Sequence, residues 1–350
     1  MEQPFSAISA LSIRLLVLAE RANDYFTWYN AHTRFTQSII MKAVFLDLQT
    51  FSKQINTDVI DAQVESLVCY QLTSQQEVVE RCADADIIIT NKVVIGRNII
   101  KQLSKLKLIC VAATGTNNID IKAAQEAGIT VANVANYAGT AVAQYIFSQL
   151  LEHFQHVSHH NNNVEQGKWH SSKTFCYLGN PINELAGKTL GLIGYGHIGE
   201  RVKAIAEAFE MQVLIAERKD SSCCRFDRTP YEQVLQQSDI ISLHCPLTDD
   251  TYHLIDKSSL ELMKSDALLI NTARGDIVDE QALINALKDK KIAKAIVDVV
   301  SKEPPTKGCL LANQQLPNLV ITAHIAWASL QAQQRIVNTI AANIDQFKST

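Results

Sequence analysis

No two cysteines stand in a C-x-x-C pair, no apolar run approaches the ~18 to 20 residues that a membrane helix needs, and no tract is of low complexity. The first absence removes the usual zinc and dithiol signatures, and the second removes a membrane span. Neither sign of charge dominates: 32 Lys and Arg against 36 Asp and Glu leave a formal charge of -4, so nothing suggests a surface for nucleic acid. What is there is a globular composition, 47% hydrophobic and 19% charged over 350 residues. That length suits two domains of ~100 to 200 residues each. The eight cysteines (Cys69, Cys82, Cys110, Cys176, Cys223, Cys224, Cys245 and Cys309) sit mostly beside apolar residues and read as reduced thiols of a cytoplasmic protein. The vicinal pair Cys223-Cys224 reads as ordinary loop thiols, with redox activity as the alternative.

Residues 1-40 stand apart. Leu11 to Ala19 resembles a signal-peptide core, but Arg14 interrupts it, no Lys or Arg precedes it, and Glu20, Arg21 and Asp24 follow in place of a small-residue cleavage site. At Met41 the run M-K-A-V-F-L-D begins as a buried strand would, so Met41 is expected to be the start of the fold and 1-40 an extension. From there short apolar strands alternate with amphipathic segments, the pattern of an α/β chain with parallel sheets. Strands are expected at 43-47, 86-90, 108-112 and 129-132, with helices at 95-103 and 121-127, the latter stopped by Gly128. A helix from about Thr140 to Glu165, free of Pro and Gly, is placed to bridge two units. Its His153, His156, His159 and His160 read as a solvated face, with a metal site as the alternative. The alternation restarts with strands at 189-193, 212-216, 240-244, 267-271, 294-297 and 319-322 and helices at 198-209 and 329-347.

The segment G-L-I-G-Y-G-H-I-G sets Gly194, Gly196 and Gly199 in G-x-G-x-x-G register after an apolar strand and at the head of a helix, with His197 and Ile198 between the last two glycines. In this context Gly194 permits the turn, Gly196 lets backbone N–H groups approach a pyrophosphate, and Gly199 lets helix and strand pack closely. Glu217, eighteen residues past Gly199, stands where a carboxylate accepts from the adenosine ribose and repels a 2'-phosphate. This favours NAD, although Arg218 and Lys219 leave NADP open. Further on, Arg274, Glu303 and His324 each follow an expected strand. Reducing a 2-oxo acid needs a fixed cation for the carboxylate or carbonyl and an acid to protonate the developing alkoxide. Arg supplies the first, and a His steadied by a carboxylate supplies the second.

From Met41 to Phe347 the chain resembles the D-isomer-specific 2-hydroxyacid dehydrogenase family. The resemblance rests on A-A-T-G-T-N-N-I-D (112-120), the glycine loop, H-C-P-L-T-D-D-T (244-251), N-T-A-R-G, D-V-V-S-K-E-P-P and H-I-A-W-A-S. It implies a Rossmann-type NAD domain (140-325) and a flavodoxin-like parallel-sheet substrate domain (41-139) to which the C-terminal helix (326-350) returns, with the active site between them. It further implies that Arg274, Glu303 and His324 are catalytic, and that Thr114 and Gly115 offer N–H groups to the substrate carboxylate alongside Arg274 and His324. Asp298 would hold the nicotinamide amide; His244, Cys245 and Pro246 would line the adenine side, Thr251 would join the coenzyme contacts, and Thr272, Ala273 and Arg274 would line the nicotinamide side. No metal is implied. The E-P-P and H-I-A-W-A-S segments and N-N-I-D are most similar to glycerate dehydrogenases, also called hydroxypyruvate reductases. Hydroxypyruvate with D-glycerate is therefore the expected substrate pair, and a homodimer the expected assembly. Glyoxylate or another short 2-oxo acid, phosphoglycerate oxidation, or an NAD-sensing regulatory role are the alternatives. Ala323 and Gln144 depart from the family's frequent Pro and Glu, and Trp327 is placed to wall a small pocket or simply to pack.

Overall fold

Runs such as Ile87-Ile88-Ile89 and Leu268-Leu269-Ile270 are too short for helices and too apolar for a sheet with one wet face, so they form strands covered on both sides. The computed structural model describes residues 41–350. The expected start of the fold at Met41 and the extension before it fall at and beyond that limit. The first sheet is parallel, in the order β2-β1-β3-β4-β5, from β1 (Lys42–Phe45), β2 (Ser66–Cys69), β3 (Ile87–Thr90), β4 (Leu108–Val111) and β5 (Thr130–Asn133). The second is also parallel, in the order β11-β10-β9-β8-β6-β7. Its members are β6 (Thr189–Ile193), β7 (Gln212–Ile215), β8 (Ile240–Leu243), β9 (Leu268–Asn271), β10 (Lys294–Val297) and β11 (Leu319–Ile321).

Each expected strand is present, with its ends within two residues of those read from the sequence. β2 is an addition to them: it is a half-exposed edge strand, S-L-V-C, whose apolar signal is too weak to stand out. The expected helix 140–165 is two helices, α1 (Gly139–Gln155) and α2 (Val157–Glu165), because His156 adopts φ 51° and turns the chain. The break is held from the side: the Glu152 carboxylate accepts from Ser158 N and Ser158 Oγ at 3.3 and 3.1 Å, occupying a backbone donor that the new helix start leaves free. The two helices serve different neighbours. Ile146, Phe147, Leu150 and Phe154 of α1 enter the core beside β6 and α3 (His197–Ala208), whereas α2 buries only Asn163.

Helix α4 (Leu330–Lys348) starts with Ser329 Oγ accepting from Ala332 N at 3.1 Å and returns to the first sheet. There Ile336, Val337, Ile340 and Ile344, all fully buried, pack against Phe45, Ile87 and Leu108. Trp327 lies at the seam, packed against core residues of both sheets and edge-on to Phe51 and Tyr137 at 6.2 and 6.1 Å. Of the described residues, no helix is long and apolar enough to cross a membrane.

Candidate active site

The C-terminal ends of both parallel sheets face one cavity of about 650 Å³, the position where open α/β sheets gather ligands. Turns after β3 and β4 contribute Lys92, Thr114 and Gly115; those after β8 to β11 contribute His244, Thr272, Arg274, Asp298 and His324. Another cavity, of about 570 Å³ between Met41, Leu108 and Phe347, lies at the opposite edge of the first sheet and carries no Arg, Glu or His.

Arg274, Glu303 and His324, far apart in sequence, line this one cavity. His324 Nδ1 lies 2.6 Å from Glu303 Oε2, while Glu303 Oε1 accepts from Val300 N at 3.1 Å. Burial opposes ionisation of Glu303, but the hydrogen bond and charge of His324, with the Val300 N–H and Lys92, hold its pKa below the usual carboxylate range. The imidazole is thereby oriented with Nδ1 on an anion, leaving Nε2 to serve the cleft. His324 itself sits at φ 54°, a left-handed conformation for a residue with a Cβ. Asp298 maintains it: buried to 1% exposure, its carboxylate accepts from Thr322 Oγ1, Ile325 N and Ala326 N at 2.6, 2.9 and 2.8 Å, and its carbonyl accepts from His324 N at 2.8 Å. Expected at the nicotinamide, Asp298 is seen to clamp the turn that carries the His, a task invisible in the sequence because its partners are mostly backbone groups.

The turn bearing Arg274 is built similarly. Asn271 accepts from Ala273 N at 3.0 Å and donates to Arg274 O at 2.8 Å. Gly275 follows because a Cβ there would come within 2.0 Å of Val300 C. Gly115 brings its backbone to the guanidinium, since a Cβ on it would stand 3.3 Å from Arg274 Nη2. A planar cation, a backbone turn and a carboxylate-paired imidazole thus face one space, which can hold a carboxylate and pass a proton to a neighbouring oxygen.

The glycine loop lies beside this space. Gly194 takes φ 93°, and a Cβ on it would strike Cys245 N at 2.4 Å; one on Gly199 would reach Gly194 O at 2.9 Å, so strand and helix touch there. A Cβ on Gly196, the N-cap of α3, would meet nothing within 4 Å, which leaves the helix N-terminus open to a ligand. Ile198 lines the cavity, whereas the His197 ring packs toward Gly139 of α1. Cys245, Pro246 and Ala273 also line the cavity, and the Thr272 Oγ1 and His244 Nε2 atoms are buried without partners. Loss of hydration pushes His244 down to about 4, so it presents a neutral ring. Orphaned polar atoms beside an open helix start fit a bound dinucleotide.

Two expected coenzyme residues are found engaged with the protein itself. Thr251 Oγ1 donates to Pro246 O at 2.6 Å and accepts from Thr248 N at 2.7 Å, which closes its loop away from the cavity walls. Glu217, at the end of β7, accepts from Arg225 Nε and Nη2 at 2.8 Å each and from Arg218 N at 2.9 Å. The Arg225 hydrogen bond, then that of Arg218 N, holds its pKa near the bottom of the carboxylate range, at about 2. Lys219 is drawn to Asp256 at 3.5 Å. Among the described residues no group of three or more His, Cys, Asp or Glu is placed to hold a metal, and His153 is pushed down to about 4 by burial, Lys294 and His156. All eight cysteines are unpaired. Sequence reasoning missed Lys92 in this cavity, although its place just after β3, at a strand's C-terminal end, was the available signal.

Comparison with known proteins identifies the family. Residues 147–326 match the family model described as D-isomer specific 2-hydroxyacid dehydrogenase, NAD binding domain. A putative 2-hydroxyacid dehydrogenase of Haemophilus influenzae is 43% identical over 309 residues, 88% of this chain and 98% of that protein. A glycerate dehydrogenase of Methylorubrum extorquens is 41% identical over 313 residues, covering 87% and 96%. Among solved structures, the TT0316 protein of Thermus thermophilus superposes with a TM-score of 0.74 at 29% identity, covering 87% of this chain and 96% of that one. With a dinucleotide loop beside an Arg, Glu and His cleft, and with these relatives along most of its length, the chain belongs to the D-isomer-specific 2-hydroxyacid dehydrogenase family and is an NAD-dependent oxidoreductase acting on CH–OH groups.

Proposed function

We propose that the chain interconverts hydroxypyruvate and D-glycerate with NADH and NAD. The observation that carries the reading is the 2.6 Å contact of His324 with Glu303 in the same cavity as Arg274 and Gly115; the likeness to a glycerate dehydrogenase supports the substrate. Arg274 and the N–H groups of Thr114 and Gly115 hold the substrate carboxylate and orient its carbonyl. His324 delivers a proton from Nε2 to the carbonyl oxygen during reduction and takes it back during oxidation, and Glu303 stabilises the imidazolium between those events. Bound NADH, when present, supplies the hydride. The glycine loop would hold the pyrophosphate and Glu217, anionic throughout the physiological range, would disfavour a 2'-phosphate. His244 to Pro246 would border the adenine side and Thr272 to Arg274 the nicotinamide side. Rates of NADH oxidation with hydroxypyruvate, glyoxylate, pyruvate and 3-phosphohydroxypyruvate test the reading. A chain that binds NADH but turns over none of them would be a sensor, and one that prefers glyoxylate would be a glyoxylate reductase.

We also infer a homodimer. Val157, Val164, Trp169, Phe175, Leu178 and Ile182, on α2 and the stretch after it, are exposed, with Phe175 at 91% and Leu178 at 76%. So much apolar surface on one segment supports a second copy covering it. The unpaired state of all eight cysteines supports a cytoplasmic location.

A further inference from the structure

Asp47, just past β1, is buried to 2% exposure, and among the described residues it forms no ion pair within 4.0 Å. Its carboxylate instead collects the backbone of the turn after β3. It accepts from Asn91 N at 2.9 and 3.1 Å, from Lys92 N at 2.6 Å and from Val93 N at 3.2 Å. Asn91 Nδ2 adds a bond to Thr50 Oγ1 at 3.0 Å, and Thr90 Oγ1 accepts from Val93 N at 3.0 Å. A short turn held by this many bonds has one backbone course. That course sends the Lys92 side chain to the wall of the cavity that also holds Arg274, Glu303 and His324. Among the described residues the Lys92 ammonium forms no ion pair within 4.0 Å, so its donors remain for a ligand. Lost hydration and the charge of Arg274 lower its pKa, while Glu303 and Asp47 act to raise it.

The other walls leave a defined task for it. Arg274 and the turn at Gly115 provide for the substrate carboxylate, and His324 for the carbonyl oxygen. Trp327 and Tyr137 close the cavity with aromatic rings. What remains to be recognised on a short 2-oxo acid is the substituent on the carbonyl carbon. Resting on the oxidoreductase reading above, we propose that Lys92 is a specificity-determining residue that donates a hydrogen bond to an oxygen on C3 of the substrate. The site therefore selects 2-oxo acids with a C3 hydroxyl over those bearing hydrogen or an alkyl group at that position. An ammonium facing a methyl group gives up hydration without a new acceptor, whereas a hydroxyl oxygen replaces the lost water.

The experiment compares kcat/KM for hydroxypyruvate and for glyoxylate, which has no C3, in the full-length wild type, Lys92→Met and Lys92→Arg at saturating NADH. Lys92→Met is expected to lower the hydroxypyruvate value roughly 10- to 100-fold, the scale of one charge-assisted hydrogen bond, with the glyoxylate value and the KM for NADH held within about threefold. Lys92→Arg should restore part of the loss. The glyoxylate rate reports that the variant is folded. Equal losses on both substrates would overturn the proposal in favour of a general attraction for anions, and an unchanged hydroxypyruvate value would overturn it outright. A wild type that reduces glyoxylate but not hydroxypyruvate would refute the proposed reaction, and this proposal with it, before any variant is made.

Discussion

His324 occupies a left-handed backbone position at φ 54°, and that strain of about 1 kcal/mol is offset by the bonds of Asp298 to the same turn. A buried carboxylate holds the conformation, so the imidazole is aimed before any substrate arrives. His324→Ala should lower kcat for hydroxypyruvate reduction roughly 100- to 10,000-fold, with little change in NADH affinity by fluorescence titration. The Glu303 contact carries its own pH signature. A carboxylate whose folded pKa lies below its unfolded value adds stability that is complete above the unfolded value and lost as pH falls through the folded one. Glu303 is such a group, so the melting-temperature gap between wild type and Glu303→Gln is expected to persist at neutral pH and to close in acid, below the ordinary Glu range of about 4.3. A gap that widened on acidification would contradict the pairing. At Glu217, where Arg225 holds both carboxylate oxygens, Glu217→Ser removes the anion and frees the guanidinium. The NADPH-to-NADH ratio of kcat/KM should then rise roughly tenfold or more, the scale of one relieved like-charge contact.

Among the elements, the turn between β9 and the segment that follows is the most tightly fitted. A Cβ at Gly275 would come within 2.0 Å of the Val300 backbone, and backbone moves less readily than a side chain. Gly275→Ala is expected to cost about 3 kcal/mol, read as a shifted urea midpoint, and to displace Arg274 next to it. The α1 to α2 break is more forgiving. His156 at φ 51° should accept Gly with a stability change under about 1 kcal/mol and reject Val by about 1 to 2 kcal/mol, because Gly has no Cβ to crowd the left-handed region and a β-branched chain crowds it more than His does. Pro and Gly are absent between Thr140 and Glu165, so the sequence reads as one helix there. The break is made by packing, since Phe154 is buried beside Leu185 while α2 contributes a single buried residue.

For the whole molecule, the exposed apolar stretch around Phe175 and Leu178 is the surface to which the proposed dimer is assigned. Phe175→Asp with Leu178→Asp should shift sedimentation from dimer to monomer, whereas a wild type that sediments as a monomer at assay concentration would remove the dimer from consideration. Ten of the eleven strands, the glycine loop and the Arg, Glu and His triplet were legible in the chain. Period and strand-end position are local properties written in consecutive residues. β2 and the helix break were not, because an edge strand and a single left-handed residue leave almost no periodic trace. The sequence by itself determined which side chains could do the chemistry and where along the chain ten of the strands lie. Tertiary structure alone decided that Asp298 clamps the His324 turn, that Glu217 is gripped by Arg225, and that Asp47 steers Lys92 into the cleft. Those contacts join residues through space, most of them to backbone groups, and a backbone N–H has the same chemistry in every non-proline residue, so no pattern of side chains announces them.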